Sequence, residues 1–165
     1  MIEYLKKVVK NNNIEDIYLT GFVDVENGIA QFCHDLRFMY FEINNKYIEF
    51  EVVEQFSKLK IRIVDSIEYN FEIDKDVIKA KSSVSEIVLN DTMSAGNNIS
   101  TIIFYNLVEE CLICDAIEIE LTNGQIIFLD PSFYFGINIG GKEQKQLWKE
   151  NLKENAIISE TLINN

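Results

Sequence analysis

The sequence predicts an α+β domain built mainly of antiparallel strands joined by hairpins, with one short helix near each end. Several short segments alternate apolar and polar residues, which is the period of a half-buried strand. Asn-Gly and Asn-Asn pairs separate some of these segments and suit two-residue hairpin turns. Apolar residues recur at helical spacing near the two termini. At 165 residues the chain is expected to form a single domain, residues 1–165.

The first third of the chain begins with a predicted helix over residues 2–9, because Ile2, Leu5, Val8 and Val9 fit one helical face. A strand is predicted over residues 17–23, followed by a turn at Asn27-Gly28. The pattern of residues 31–35 fits neither a helix nor a strand, so their state stays open.

Residues 36–64 predict a three-stranded meander with strands over 36–43, Lys46–Val53 and Lys58–Val64. With Asn44-Asn45 as a two-residue turn, Phe41 faces Ile48 on the core side and Tyr40 faces Glu49 on the other. The third strand then lays its basic row, Lys58, Lys60 and Arg62, beside Glu49 and Glu51. We therefore expect a solvated sheet face with weak cross-strand ion pairs.

The second half of the chain predicts strands over 67–73, 84–89 and 100–108, with an exposed loop over 90–98. The clearest hairpin pairs residues 116–121 with 126–129 around a two-residue Asn123-Gly124 turn, so that Leu121 faces Ile126 and Ile119 faces Phe128. Asp130-Pro131 is expected to end the returning strand, since proline has no N–H to donate. A last helix is predicted over 142–155, with Leu147, Trp148 and Leu152 as its apolar stripe and a frayed tail after it.

The formal net charge of −12 is unevenly distributed along the chain. No lysine or arginine lies between Lys81 and Lys142, whereas that interval holds eight acids. A surface of this sign repels nucleic-acid phosphates and anionic lipids, and it attracts a cationic protein. Solubility alone is the competing explanation of the acidity. The eight acids are Glu86, Asp91, Glu109, Glu110, Asp115, Glu118, Glu120 and Asp130.

Residues 136–142, GINIGGK, match the spacing of a phosphate-binding P-loop, and a predicted helix follows them. Glu143 stands where that motif needs a hydroxyl group for Mg²⁺, and its carboxylate would repel phosphates. The preceding strands are also joined by hairpins, whereas a P-loop needs a parallel sheet. We therefore interpret the segment as a glycine turn that leads into the last helix.

The remaining motifs give no catalytic, metal or cofactor site. Cys111 and Cys114 have C-x-x-C spacing, but residues three apart on a strand point to opposite faces, so we expect them to pack as small hydrophobic residues. His34, the only histidine, has no accompanying nucleophile motif. No apolar run is long enough for a transmembrane helix, and the N-terminus lacks a secretory pattern. Together with the three cysteines, this predicts a reducing, cytoplasmic setting.

In length, acidity, cysteine use and hairpin-rich pattern, the chain resembles the immunity proteins of bacterial polymorphic toxin systems. The resemblance implies a cytoplasmic inhibitor that binds a cognate toxin, commonly a basic nuclease, and blocks its active site. An acidic surface would speed the encounter with such a partner. The predicted contacts are Asp91, Glu109, Glu110, Asp115, Glu118 and Glu120, which have no basic neighbour in the sequence, together with Asp74 and Asp76, which flank Lys75.

Two alternatives to the inhibitor hypothesis remain open. One is a self-associating or small-ligand-binding structural module built from residues 133–139, in which Phe133, Tyr134 and Phe135 either cover the core or face a partner. The other is an enzyme, whose mark would be a cleft that gathers His34 with carboxylates of perturbed pKa.

Overall fold

A computed structural model describes residues 2–69, 71–72, 77–91, 96–133, 136–153 and 156–165. These residues form strands and short helices in an order that roughly follows the prediction. The elements are α1 (Ile2–Val9), β1 (Asp16–Glu26), β2 (Ile29–Ile43), β3 (Lys46–Val53), β4 (Lys58–Val64), β5 (Ile78–Ser83), α2 (Ser85–Val88), β6 (Ile99–Tyr105), β7 (Ile113–Cys114), β8 (Ala116–Leu121), β9 (Ile126–Phe133), β10 (Gly136–Gly140), α3 (Lys142–Glu150) and β11 (Glu160–Asn164).

The strands form two antiparallel sheets that share one apolar core. Sheet A has the order β5-β1-β2-β3-β4-β7, and sheet B has the order β10-β9-β8-β6-β11. Buried side chains from both sheets, such as Phe41 and Ile61 of sheet A and Phe104 and Ile119 of sheet B, belong to the same cluster. Helix α1 adds Leu5, Val8 and Val9 to that cluster. The predicted α+β class with mainly antiparallel strands is therefore confirmed.

The predicted meander is confirmed together with its register. Asn44 and Asn45 both have positive φ, at 52° and 55°, as a two-residue hairpin turn requires. Phe41 lies opposite Ile48 and Tyr40 opposite Glu49. Strand β4 continues the pattern, with Arg62 opposite Glu49. Alternation and turn chemistry were sufficient here because each strand pairs with its neighbour in the sequence.

The outer face of sheet A, which points away from sheet B, is partly covered, and the predicted solvated face is wrong at Glu49. The Glu49 side chain is fully buried, and its carboxylate accepts hydrogen bonds from Tyr40 Oη at 2.7 Å and Arg62 Nε at 2.6 Å. Phe38 and Tyr40 pack in one cluster with Phe71. Phe71 belongs to the connection after β4, and this described part of the connection covers the sheet there.

The central hairpin forms one residue out of the predicted register. Leu121 N donates to Gln125 O at 2.9 Å, so the loop has three residues, 122–124, instead of two. Gly124 adopts φ 81°, and the Asn123 side chain accepts a hydrogen bond from Gln125 N. This is the geometry of a turn followed by a left-handed glycine. As a result Glu118, and not Ile119, lies opposite Phe128.

Strand β9 does not end at Asp130-Pro131 as predicted. It runs from Ile126 to Phe133 and pairs with β10 between Phe128 and Phe133. Its pairing with β8 stops at Leu129, which lies opposite Ile117. Pro131 is therefore beyond the β8 ladder, where its missing N–H leaves no gap in that pairing.

Four other segments differ from the prediction. Residues 84–89 contain the short helix α2 instead of a strand, and β5 had not been predicted at all. The described residues of 67–73 form no strand, and β6 ends at Tyr105 instead of at residue 108. Short apolar runs cannot be assigned from periodicity alone, which explains these errors.

No helix in the described residues is long and apolar enough to cross a membrane.

The C-terminal helix is shorter than predicted, and the tail is ordered in a strand. Helix α3 ends at Glu150. Of its expected apolar stripe, Trp148 is buried, whereas Leu147 is 52% exposed. After it, β11 pairs with β6 along Glu160–Asn164 and places Ile163 in the core, so the predicted fraying is wrong.

Candidate partner-binding surface

The predicted contact acids separate into exposed and internally bonded groups. Asp74 and Asp76 lie outside the described residues. Asp91 is partly buried, and its carbonyl oxygen accepts a hydrogen bond from Asn97 Nδ2 at 2.5 Å. The exposed candidates are Glu109, Glu110 and Glu120, and the bonded ones are Asp91, Asp115 and Glu118.

Glu109 and Glu110 occupy a tight turn in the connection between β6 and β7. Val108 N donates to Ile113 O at 2.8 Å and closes the turn, while the buried Leu112 anchors it to the core. Both carboxylates are exposed and have no ion pair to any described residue. They are therefore available to a cationic partner.

Glu120 is exposed on the outer face of sheet B, which points away from sheet A. Its neighbours Ile119 and Leu121 point into the core, so strand alternation places the Glu120 side chain on the opposite face. Helix α3 covers part of that face by packing Trp148 against Tyr105 and Phe128. Glu120 lies outside this covered cluster.

Asp115 is not a free surface acid, which corrects the prediction. It accepts hydrogen bonds from Lys58 Nζ at 2.5 Å and from Asn106 Nδ2 at 2.7 Å. The bond to Asp115 raises the pKa of Lys58. The sequence did not indicate this pair because Lys58 and Asp115 are far apart in the chain. Lys58 lies on β4 of sheet A, and Asp115 comes near it because the preceding strand β7 pairs with β4.

Glu118 is also removed from the surface by tertiary contacts. It is 5% exposed, accepts a hydrogen bond from Tyr105 Oη at 2.6 Å, and forms an ion pair with Lys145 of α3. Burial, followed by the hydrogen bond to Glu118, raises the pKa of Tyr105 to about 12. Burial opposes the charge of Lys145, but its bonds to Glu118 and Tyr105 outweigh that effect and raise its pKa. The arrangement attaches α3 to sheet B.

The raised pKa of Tyr105 predicts a loss of stability in alkali. A tyrosine in the unfolded chain titrates near pH 10, whereas Tyr105 in the folded chain titrates near 12. The unfolded state therefore loses its proton first, and the stabilisation present below pH 10 disappears as the pH rises towards 12. Between those values, Tyr105 should account for about 2 kcal/mol of the fall in the free energy of unfolding.

Denaturant unfolding at pH 8, 10 and 11 measures this dependence. The Tyr105→Phe variant should show a shallower fall above pH 10, and Tyr4→Phe, at a 48% exposed position, should behave like the unaltered chain. An unchanged slope in Tyr105→Phe would contradict the assignment.

The motifs singled out in the sequence lie in separate places in the described residues. Cys111 lies in the acidic turn and Cys114 in β7, where burial raises the pKa of the Cys114 thiol. The described residues contain no group of three or more His, Cys, Asp or Glu side chains able to hold a metal ion. His34 is exposed on β2. The residues 136–140 of the P-loop match form strand β10, antiparallel to β9, instead of the expected glycine turn.

Only part of the segment 133–139, named as a self-association or ligand surface, is described. Ile137 is 2% exposed and belongs to the common core. Tyr134, Phe135 and the Phe133 side chain lie outside what the structure describes.

One surface was missed by the sequence prediction: a hairpin formed by residues 20–26 of β1 and 29–35 of β2, here called the arm. Leu19 pairs with Met39, but Thr20 already pairs with Asp35, so β2 has a bulge at residues 36–38 where the arm begins. Val23 pairs with Ile78 of β5, and beyond it the described residues add no third strand to the arm. The Asn27-Gly28 turn indicated a hairpin at this point. Residues 31–35 lack the apolar–polar alternation that would have predicted the second strand of the arm.

The arm has an apolar face on the side that points towards sheet B. Register places Val23 between Ile78 and Phe32 on this face, and Val25 opposite Ala30. Val25 is 57% exposed and Ile78 is 68% exposed. Solvent-exposed apolar side chains grouped on one sheet face are typical of an interaction surface.

Comparisons with known proteins return no match: no protein-family model, no curated protein and no solved structure matches this chain.

Proposed function

We propose that the chain is a non-catalytic protein that binds a cationic protein partner and inhibits it, as an immunity protein does. The same proposal places the chain in the cytoplasm of a bacterium and makes its partner a basic toxin. The alternative is a structural module that associates with itself, which the exposed apolar face of the arm favours.

The observation that carries this proposal is that four basic side chains form ion pairs with acids of the same chain. Lys58 and Lys145 are paired with Asp115 and Glu118, two of the predicted contact acids. Arg62 and Arg37 are likewise paired with Glu49 and Asp35. These ion pairs occupy four bases of the fold, whereas Glu109, Glu110 and Glu120 stay exposed on a chain with a net charge of −12. Such a surface attracts a cationic protein and speeds its association.

Charge reversal at the exposed candidates tests the proposal. The chain would be immobilised, exposed to lysate of its host, and washed at low and then high salt, and the retained basic protein would be identified and purified. We expect the triple variant Glu109→Lys, Glu110→Lys, Glu120→Lys to slow association with that protein by about tenfold or more at low salt. The difference should shrink at high salt because screening removes long-range attraction.

A control with the same change of net charge separates local contact from global charge. Glu72→Lys, Glu86→Lys and Glu150→Lys reverse three exposed acids elsewhere on the chain. An equal effect of both triple variants would refute contact at the predicted acids. Absence of any basic partner, combined with a mass that rises with concentration in sedimentation, would favour the self-associating module.

A further inference from the structure

We propose that the arm is the docking element for the cationic partner and that it enters a cleft with one apolar wall and one cationic wall. The inference rests on the proposed function and adds to it the surface that makes contact. It concerns residues outside the base-free interval between Lys81 and Lys142.

The arm has two chemically different faces near its tip. Strand alternation places Val23 and Val25 on the face towards sheet B and Asp24 and Glu26 on the opposite face. Asp24 and Glu26 are exposed and have no ion pair to any described residue. A partner that surrounds the tip would therefore meet apolar side chains on one side and, on the other, two carboxylates with the exposed Ile29 beside Glu26.

The two lysines of strand β5, which pairs with the arm, are engaged by groups on the outer side of sheet A. Residues 21–36 contain no lysine or arginine. On the adjacent strand β5, Lys79 donates to Tyr69 O at 2.9 Å and lies 5.1 Å from the Phe71 ring centre. Lys81 lies 3.6 Å from the ring centre of Tyr18, near the base of the arm. Both ammonium groups are held by aromatic rings of the outer face of sheet A, which leaves the tip acidic.

The shape of the tip also fits insertion. Beyond Val23 the described residues pair the arm only as a two-stranded ribbon, and such a ribbon is only marginally stable in water by itself. Its side chains are exposed on both faces, from Val25 at 57% to Ile29 at 70%. A cleft that closes around the ribbon would bury these side chains and supply the missing packing.

The net charge of the chain distinguishes between two partners that could bind the apolar face, a second copy of the chain and a cationic protein. A second copy would bring together two chains that each have a net charge of −12, and long-range repulsion opposes that association. A cationic protein meets the same field with the opposite sign. The arm therefore fits the partner of the proposed function better than it fits another copy of this chain.

Site-specific photo-crosslinking in the full chain tests the inference. A photoreactive phenylalanine analogue would be placed at Val25, with Ile87 as the matched control because it is 85% exposed and lies on α2. After irradiation in host lysate, the Val25 probe is expected to capture one protein rich in lysine and arginine, and the Ile87 probe should not capture it.

Affinity for that protein, once purified, gives the second measurement. The double variant Val25→Asn, Ile78→Asn should weaken binding at least about tenfold, whereas Ile87→Asn should not. The double variant Asp24→Asn, Glu26→Gln should slow association and reduce its salt dependence. All these positions are exposed, so the thermal unfolding midpoint should stay within a few degrees of that of the unaltered chain and serves as the folding control.

The outcomes separate the inference from the function on which it rests. Unchanged affinity in both arm variants, with weaker binding in the Glu109, Glu110 and Glu120 variant, overturns the arm and leaves the function standing. A crosslink from Val25 to a second copy of the chain would show that the arm mediates self-association and does not bind a cationic partner. If neither the lysate capture nor the crosslink yields a cationic partner, both the function and the arm fail.

Discussion

Replacing Glu49 by alanine is expected to lower the free energy of unfolding by about 3 kcal/mol. The carboxylate is fully buried and accepts hydrogen bonds from Tyr40 Oη and Arg62 Nε, at 2.7 Å and 2.6 Å. Its removal leaves a hydroxyl group and a guanidinium group without their acceptor under the layer formed by Phe71 and its neighbours. Because the Arg62 side chain is 35% exposed, water can partly replace the lost partner, which places the cost at the lower end for a broken buried pair.

Denaturant unfolding measures that loss, and Glu51→Ala is the matched control. Glu51 lies on the same strand and face, 3.9 Å from Arg62, but its side chain is 26% exposed. Its replacement should cost less than about 1 kcal/mol. In the double variant Glu49→Ala, Arg62→Met, the cost should be smaller than the sum of the two single changes, since no unpaired cation remains. Equal costs for Glu49→Ala and Glu51→Ala would show that the Glu49 carboxylate is solvated.

Replacing Gly136 by alanine is expected to cost about 3 kcal/mol or more. Gly136 has φ 129°, a conformation that residues with a side chain rarely adopt, and an added Cβ would lie 2.2 Å from the Leu36 carbonyl oxygen. Leu36 belongs to the bulge at the base of the arm, so this contact joins β10 of sheet B to β2 of sheet A. Backbone cannot move aside as a flexible side chain can, and the strain must separate the two sheets locally.

Gly28→Ala distinguishes the clash from the backbone strain. Gly28 has φ 79° and no atom within 4 Å of an added Cβ, so its replacement should cost about 1 kcal/mol. Thermal unfolding of the two variants gives the comparison. If Gly136→Ala is no more destabilised than Gly28→Ala, the close approach of β10 to Leu36 does not exist in solution.

Turn chemistry accounts for what could be predicted of the fold. Asn27-Gly28 and Asn44-Asn45 are turns in the structure, and the register of the meander follows directly from the second of them. Asn123-Gly124 failed as a guide because the same two residues also fit a three-residue loop. A slip of one residue changes every cross-strand pair, so the surroundings of Glu118 were predicted wrongly.

The acids of the candidate surface show the limit of reasoning from sequence neighbours. Asp115 and Glu118 have no base near them in the chain, yet Lys58 and Lys145 pair with them. Glu109 and Glu110 stay exposed and have no ion pair to any described residue. Which acids remain at the surface depends on how distant elements pack, and local sequence does not encode that.

The sequence by itself determined the antiparallel class, the first meander, the N-terminal helix and the sign of the surface charge. These properties depend on strand alternation, turn residues and composition, all of which act over a few neighbouring residues. Only the tertiary structure decided that Glu49 and Glu118 are buried, that the C-terminal tail forms β11, and that the arm leaves an apolar face exposed. Those outcomes depend on which surfaces the two sheets, α3 and the connection after β4 cover, and contacts between residues far apart in the chain determine that coverage.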